Sequence, residues 1–112
     1  MIIDFDSIPE QTLPNFKGGE KNYNKRGFED DKNKIMLGRL ESGASIGVHT
    51  HEGNSEAIFI IKGTGKVYYD GAYETVTAGQ CHYCPMGHQH SLINDGDGEL
   101  IFYAVVPKHG QI

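Results

Sequence analysis

A succession of short apolar runs, separated by turn residues, is the feature that most constrains the fold of this chain. The runs begin at residue 35, and no stretch after that point carries a convincing helical period. Their spacing of roughly 8–12 residues is typical of the strands of an all-β sandwich or barrel. The runs are Ile35–Leu40, Ser45–His51, Ala57–Lys62, Lys66–Tyr69, Tyr73–Val76, His82–Cys84, Ser91–Ile93 and Leu100–Val106.

The segments between these runs are rich in glycine, which is the outlier of the composition at 15 of 112 residues. Glycine at this density, without a collagen period, indicates many tight turns between short strands. Asp70-Gly71 is the strongest turn signal, because a two-residue type I′ hairpin needs a positive φ at both central residues. The sequence therefore predicts a hairpin centred on this pair.

The length of 112 residues fits one domain and leaves no room for a second. We predict a β-barrel over residues 35–106, an N-terminal loop or arm over 1–34 and a C-terminal tail over 107–112. The N-terminal part is weakly patterned, and its polar run 22–33 is interpreted as a surface loop. The alternative is an arm that packs on a partner subunit through Phe16, Tyr23 and Phe28.

The charge pattern argues against two classes of partner. The net charge is −5 with histidines neutral, and no concentrated basic face that nucleic acid would require is visible. Asp4 and Asp6 fall early and no basic region precedes a long apolar run, so neither a signal peptide nor a membrane span is predicted. We expect a cytoplasmic protein with no nucleic-acid or membrane partner, whose two cysteines are reduced.

Four residues form a candidate metal-binding set. His49 and His51 are separated by one residue, and alternate side chains of a strand point to the same face. Two imidazoles about 7 Å of strand apart can reach one ion. Glu56 follows after a short loop, and His90 comes much later. Three imidazoles and one carboxylate form a mixed nitrogen and oxygen donor set that suits Mn, Fe, Co, Ni, Cu or Zn.

The spacing around these residues resembles the first motif of the cupin superfamily, G-x5-H-x-H-x4-E-x6-G. Every fixed position of that motif is matched, and the matching residues are Gly43, His49, His51, Glu56 and Gly63. A lone H-x-H would be a weak signal, since two histidines also occur on solvated strands. The additional fixed positions at the same spacings make the resemblance specific.

A later stretch resembles the second cupin motif, G-x5-P-x-G-x2-H-x3-N. Every fixed position is matched again, by Gly79, Pro85, Gly87, His90 and Asn94. The short segment between the motifs is typical of compact microbial members, so the chain is identified as a small single-domain cupin of the bacterial type. The resemblance covers residues 35 to about 106 and does not extend to the residues before them.

This resemblance implies an all-β, single-domain jelly-roll barrel of the cupin type that holds one divalent transition metal ion, with Mn, Fe, Ni or Zn as the candidates. It gives the motif glycines and Pro85 structural roles at tight turns, and it gives Asn94 the stabilisation of a turn. Small cupins commonly pair, so a homodimer is expected. The ligands that the resemblance implies are His49, His51, Glu56 and His90.

The expected partner of such a site is a small oxygen-rich molecule. Four protein ligands on a metal that prefers six leave two adjacent positions open, and a carboxylate or sugar acid suits the residual charge of about +1. The metal would act as a Lewis acid or take part in dioxygen chemistry. The family contains isomerases, lyases, decarboxylases and dioxygenases, so the resemblance does not choose the reaction. The alternative is a module that binds a small molecule without turning it over.

Five other residues invite a functional interpretation. Cys81 and Cys84 have C-x-x-C spacing, but residues three apart in a predicted strand point to opposite faces, which argues against a dithiol site. His82 and His88 either line the cavity or lie at the barrel rim, and the rim is preferred. Arg39 lies within a predicted strand, where it either points outward or reaches inward to clamp a carboxylate or phosphate.

Overall fold

Ten strands in two facing sheets make up the protein, which is described over residues 1–110 by a computed structural model. Along the chain the strands are β1 (Gln11–Pro14), β2 (Asn22–Glu29), β3 (Asn33–Leu40), β4 (Ser45–Thr50), β5 (Glu56–Lys62), β6 (Thr64–Tyr69), β7 (Ala72–Thr77), β8 (Cys81–Cys84), β9 (Gln89–Ile93) and β10 (Leu100–Pro107). The sheets have the orders β1-β2-β3-β10-β5-β8 and β4-β9-β6-β7. All neighbours are antiparallel.

Helical structure is limited to two three-residue 3-10 helices, Phe5–Ser7 and Phe16–Gly18, within the described residues. No helix in residues 1–110 is long and apolar enough to cross a bilayer.

The core lies between the two sheets and follows from the alternation of side chains along each strand. In β10 the side chains of Phe102 and Ala104 are fully buried, whereas Tyr103 between them is exposed. Alternate residues of a strand face opposite sides of the sheet, so one half of each strand packs against the facing sheet. Leu92 of β9 and Ile60 of β5 contribute to this core from the four-stranded and the six-stranded sheet, respectively. The predicted all-β jelly-roll architecture is confirmed, as two sheets that do not close into one cylinder.

Turn residues behave as the sequence predicts. Asp70 and Gly71 have φ values of 45° and 92° and join β6 to β7, as a type I′ hairpin requires. The buried side chain of Asn94 donates to the carbonyl oxygens of Leu40 and Gly98, and its own oxygen accepts from a backbone N–H in the following loop. Asn94 therefore stabilises the turn that leads into β10.

Residues 22–33 differ from the surface loop that we predicted, because Asn22–Glu29 form β2 and pair with β3. Tyr23 is only 3% exposed, and its ring packs between those of Phe16 and Phe102 at centroid distances of 5.4 and 5.9 Å. These aromatic residues therefore complete the core of their own chain. Of the three aromatic residues in the alternative arm, Phe16 and Tyr23 are therefore used within their own chain, and packing of Phe28 on a partner subunit stays a prediction.

The segment before β2 packs closely on β4. A Cβ atom built at Gly47 would lie 2.0 Å from the carbonyl oxygen of Lys17, and one at Gly19 would lie 2.1 Å from that of Ser45. Only glycine permits so close an approach of two backbones. The contact fixes the N-terminal segment beside the strand that carries His49.

Candidate metal centre

The four predicted ligands meet in the gap between the two sheets. His49 in β4 pairs directly with His90 in β9, and His51 follows β4 by one residue. Glu56 is the first residue of β5 and reaches the cluster from the other sheet. Residues that are distant in sequence therefore converge because the two sheets face each other.

The four side chains present their ligand atoms within 4.8 Å of one another. The Nε2 atom of His90 lies 2.8 Å from Nε2 of His51, 3.2 Å from Nε2 of His49 and 3.0 Å from Oε1 of Glu56. His51 Nε2 lies 3.1 Å from the same Glu56 oxygen. Three of the four residues are buried and His49 is half-buried, so the cluster is accessible on the side of His49.

The other ring nitrogen of each histidine has a hydrogen-bond partner. Carbonyl oxygens only accept, so the histidines at 49 and 51 carry hydrogen on Nδ1 and present a lone pair at Nε2. His90 has the same tautomer, with hydrogen on Nδ1, when Nε2 of the neighbouring His82 accepts that hydrogen. The contacts are His49 Nδ1 to the Gly47 oxygen at 2.8 Å, His51 Nδ1 to Asn54 Oδ1 at 2.6 Å and His90 Nδ1 to His82 Nε2 at 2.9 Å.

Protons alone cannot satisfy this cluster. His90 Nε2 faces two other ring nitrogens and a carboxylate oxygen, and it can carry only one hydrogen. With all three Nδ1 atoms protonated, three lone pairs and one carboxylate oxygen point toward a shared centre. That arrangement fits a single cation, and the mixed donor set is one that transition metals accept.

The electrostatics favour the metal-binding form of Glu56 and His49 and oppose it at His51. Burial raises the pKa of Glu56, but the close contacts of its carboxylate with the His51 and His90 rings outweigh burial and lower the pKa to about 2. Burial lowers the pKa of His49 and, with the nearby His90, lowers that of His82 to about 4. Burial opposes protonation of His51, but its hydrogen bonds to Glu56 and Asn54 raise the pKa. A bound cation therefore competes with a proton mainly at His51.

A cavity of about 280 Å³ opens beside the cluster. His49 and His51 lie in the wall that comes from β4. The facing wall, from β2 and β3, carries Lys25, Lys34 and Met36. The cavity is thus bounded by candidate ligands on one side and by cationic side chains on the other.

Other residues singled out from the sequence lie elsewhere. His82 is buried behind His90, so the rim interpretation is wrong for this residue. His88 is half-exposed and pairs with Asp70, which confirms the rim interpretation there. Arg39 points outward and forms ion pairs with Glu10 and Glu99, so it is not a clamp in the cavity.

The two cysteines lie on opposite faces of β8, as the strand prediction requires, with Cys81 exposed and Cys84 buried. Burial raises the pKa of both thiols, to about 11 for Cys84, which disfavours the reactive thiolate.

Sequence reasoning missed several residues of the site, among them Glu52 in the cavity wall. Lys25 and Lys34 precede the region that the cupin motifs cover, and no local pattern marks them as inward-facing. Asn54 lies inside the first motif, between fixed positions, and a polar residue three positions after His51 is the signal that could have found it.

Comparisons with known proteins agree with this geometry. The family model described as cupin domain matches residues 36–106. A Thermotoga maritima protein named oxalate-binding protein is 27% identical over 112 residues, which cover 95% of this chain and 93% of the relative. A crystal structure of a predicted oxalate decarboxylase from Thermotoga maritima has a TM-score of 0.90 at 25% identity, covering 96% of this chain and 99% of that one.

The fold also recurs in a more distant protein, the Cnp3 cupin domain of Schizosaccharomyces pombe. Its TM-score is 0.77 at 15% identity, and the match covers 94% of this chain and 72% of that chain. This likeness concerns the fold alone.

Proposed function

Since this chain belongs to the cupin family, we propose that it binds one divalent transition metal ion through His49, His51, Glu56 and His90 and uses it to hold a small carboxylate. One observation carries the proposal. Three ring nitrogens with free lone pairs and one ionised carboxylate oxygen share a centre at the wall of an open cavity. Mn, Fe, Ni and Zn are the candidate ions.

When bound, the ion supplies a Lewis acid that attracts and polarises carboxylate oxygens. The chain positions that centre: Glu56 neutralises one of its two charges, and the half-buried His49 leaves the cavity side open. The remaining charge of about +1 favours an anion over a neutral diol. Mn, Fe or Ni would leave two positions free, whereas four protein ligands satisfy the tetrahedral preference of Zn.

Oxalate is the first compound to test. It presents two adjacent carboxylate oxygens that can chelate one ion, and the names of two relatives refer to oxalate. Mn²⁺ is the metal to load, because it accepts six ligands and keeps the site open. We therefore propose metal-dependent oxalate binding as the specific form of this function.

Thermal shift measurements on metal-free and Mn²⁺-loaded protein test the proposal with oxalate, glycolate and glucose as ligands. We expect oxalate to raise the Tm only when Mn²⁺ is present, and glucose to have no effect. Stabilisation by oxalate that survives complete metal removal would contradict a metal-held ligand.

Decarboxylation of the same anion is a second candidate, favoured by Glu52. This residue places a carboxyl group in the cavity wall that is not among the four ligands. Loss of CO₂ from oxalate breaks the carbon–carbon bond, and the electron pair left on the second carbon takes up one proton to give formate. In its protonated form, Glu52 would be a cavity-wall carboxyl group able to supply that proton.

Formate assays on the Mn²⁺-loaded protein decide between turnover and binding alone. We expect Glu52→Gln to abolish any formate production while oxalate binding remains, with the exposed Glu41→Gln as the matched control. Oxalate binding without formate in the wild type assigns the chain to the non-catalytic class.

We also propose a homodimer formed through the outer face of the six-stranded sheet. Four large apolar side chains on this face are 37–58% exposed, and they are Phe59, Ile61, Tyr83 and Tyr103. A contiguous apolar patch of this kind favours burial against a second copy. Analytical ultracentrifugation should show a dimer that Phe59→Lys weakens, whereas Tyr73→Lys on the other sheet should leave it intact.

A further inference from the structure

Two lysines project into the metal-side cavity from neighbouring strands. Lys25 follows the buried Tyr23 by two residues in β2, and Lys34 precedes the buried Met36 by two residues in β3. Because side chains alternate along a strand, both lysines share the inner face with these core residues. Both line the cavity of about 280 Å³ that also contains His49.

These two cations lack the acidic partners that Arg39 and Lys108 have on the outside of the protein. Arg39 and Lys108, on the outside, lie 2.8 and 2.6 Å from carboxylate oxygens. Within residues 1–110, no carboxylate oxygen lies within 4.0 Å, the limit for an ion pair, of the ammonium nitrogen of Lys25 or Lys34. The closest polar contact of the Lys25 ammonium is the sulfur of Met36, at 4.0 Å.

The missing partner has an energetic consequence. A partly buried ammonium without an anion loses hydration that nothing in the chain replaces. Burial and the neighbouring Lys34 lower the pKa of Lys25, and the more distant carboxylates of Glu29 and Glu56 oppose this shift only in part. A chain that keeps two such side chains on the inner face of its cavity gains from them only when an anion enters.

The net charge of the metal-loaded site indicates which class of anion it would bind. A divalent ion beside ionised Glu56 carries about +1, and the two ammonium groups raise the charge around the cavity to about +3, since the formal charges of the other charged lining residues, Lys17 and Glu52, offset each other. A monocarboxylate compensates only one of these charges. A chelating dicarboxylate compensates two, and each of its carboxylates gives one oxygen to the ion and keeps a second, distal oxygen free to meet the lysines.

We propose that Lys25 and Lys34 bind the free carboxylate oxygens of a small dicarboxylate that chelates the metal ion through one oxygen of each carboxylate. This assignment rests on the proposed function and adds a specificity to it. The ammonium groups donate charge-assisted hydrogen bonds to the distal oxygens. They therefore select dicarboxylates over monocarboxylates that chelate the ion equally well.

Isothermal titration calorimetry on Mn²⁺-loaded protein tests this selectivity with oxalate and glycolate. Glycolate also chelates through two adjacent oxygens, but it has one carboxylate and a neutral hydroxyl group. Lys25→Met removes the charge and keeps the length of the side chain. We expect oxalate binding to weaken by about tenfold or more and glycolate binding to change by less than about threefold.

Three further variants complete the experiment. Lys34→Met should reproduce the selective loss, and Lys25→Arg should retain most of the oxalate affinity because the charge is kept. Lys32→Met, at an exposed lysine beside β3, is the matched control and should leave both affinities unchanged. Mn²⁺ affinity of the apoprotein should be unchanged or higher in both methionine variants, since a repelling cation is removed.

The outcomes separate this inference from the function on which it rests. If the wild type binds Mn²⁺ but neither ligand, the proposed function fails and the lysine assignment fails with it. If the wild type binds oxalate only with metal and Lys25→Met and Lys34→Met bind it equally tightly, the lysine assignment alone is overturned. Equal losses for oxalate and glycolate would also overturn it, because a general effect on the cavity would explain them.

Discussion

The two walls of the cavity hold their polar side chains in opposite ways. On the histidine wall, which His49 and His51 form with the buried His90 behind them, each Nδ1 atom has a hydrogen-bond partner at 2.6–2.9 Å. On the lysine wall, formed by Lys25 and Lys34, no anionic partner is present within residues 1–110. The first wall is positioned by the chain itself, whereas the second is completed only by an anion from outside.

This difference indicates a division of roles within one cavity. Hydrogen bonds that fix the tautomer and direction of the imidazoles reduce the reorganisation needed when a metal ion enters. Cations left without partners reduce the stability of the empty protein but stay available to a ligand. We therefore expect mutations in the histidine wall to lower the metal affinity and mutations in the lysine wall to raise the stability of the metal-free protein.

Removing two imidazoles of the histidine wall should have the largest effect. The double variant His49→Ala/His90→Ala leaves one imidazole and one carboxylate, too few donors to hold a transition metal in competition with water. We expect no bound metal by mass spectrometric metal analysis after purification with added Mn²⁺. His88→Ala, a half-exposed histidine outside the cluster, is the control and should retain full occupancy. Full occupancy in the double variant would eliminate the assigned ligand set.

Loss of the support behind the histidine wall should have the next largest effect. His82 does not reach the shared centre, but its Nε2 atom lies 2.9 Å from Nδ1 of His90. His82→Ala removes that acceptor, and we expect metal affinity to fall by about 10–100-fold. His82→Gln offers an oxygen that can accept the same hydrogen, so it should recover a large part of the affinity. Equal affinities for wild type and His82→Ala would show that His90 needs no such support.

The shared face of His49 and His51 was predictable from sequence because it depends on local spacing, whereas the convergence of Glu56 and His90 with them was predictable only through the resemblance to the cupin motifs. Two histidines one residue apart on a strand must share a face, and the motif glycines sit at positive φ, where the chain turns. Asp70-Gly71 and Asn94 were predictable for the same reason, since each acts within a few residues of itself.

The lysine wall was not predictable because it depends on pairing between distant segments. The β2 sequence around Lys25 and Gly27 has little intrinsic β propensity, so its strand forms through pairing with β3 and burial of Tyr23. Only after that pairing is known can alternation place Lys25 and Lys34 on the inner face. His82 was misplaced for a related reason, since its burial depends on its contact with His90 across the sheet gap.

The pH dependence of the stability of the metal-free protein depends on His82, the residue that supports His90. The folded-state pKa of His82 is about 4, below the ordinary value of 6.5, so the unfolded chain binds the extra proton between these values. The stability that neutral His82 provides is complete above pH 6.5 and is lost as the pH falls toward 4, by at most about 3 kcal/mol. Glu56 affects stability at lower pH. Its contribution is present above pH 4.5 and is lost as the pH falls toward about 2.

Urea unfolding of the apoprotein at several pH values measures this slope. His82→Gln should flatten it between pH 6.5 and 4 and leave the slope below pH 4 unchanged, while His109→Gln, at an exposed histidine, should keep the wild-type profile. An unaltered slope in His82→Gln would mean that another group carries the dependence.

The smallest effect should appear on the lysine wall and should have the opposite sign. Lys25→Met replaces an unpaired, partly buried ammonium by an apolar side chain next to Met36, so we expect the apoprotein to gain about 1 kcal/mol, or about 4–8 °C in Tm. Asn54→Ala, on the histidine side, removes the acceptor of His51 and should cost a similar amount. Lys32→Met should stay within about 0.5 kcal/mol of the wild type because that lysine is exposed. Destabilisation by Lys25→Met would mean that the chain already satisfies this ammonium, and the contrast between the two walls would not hold.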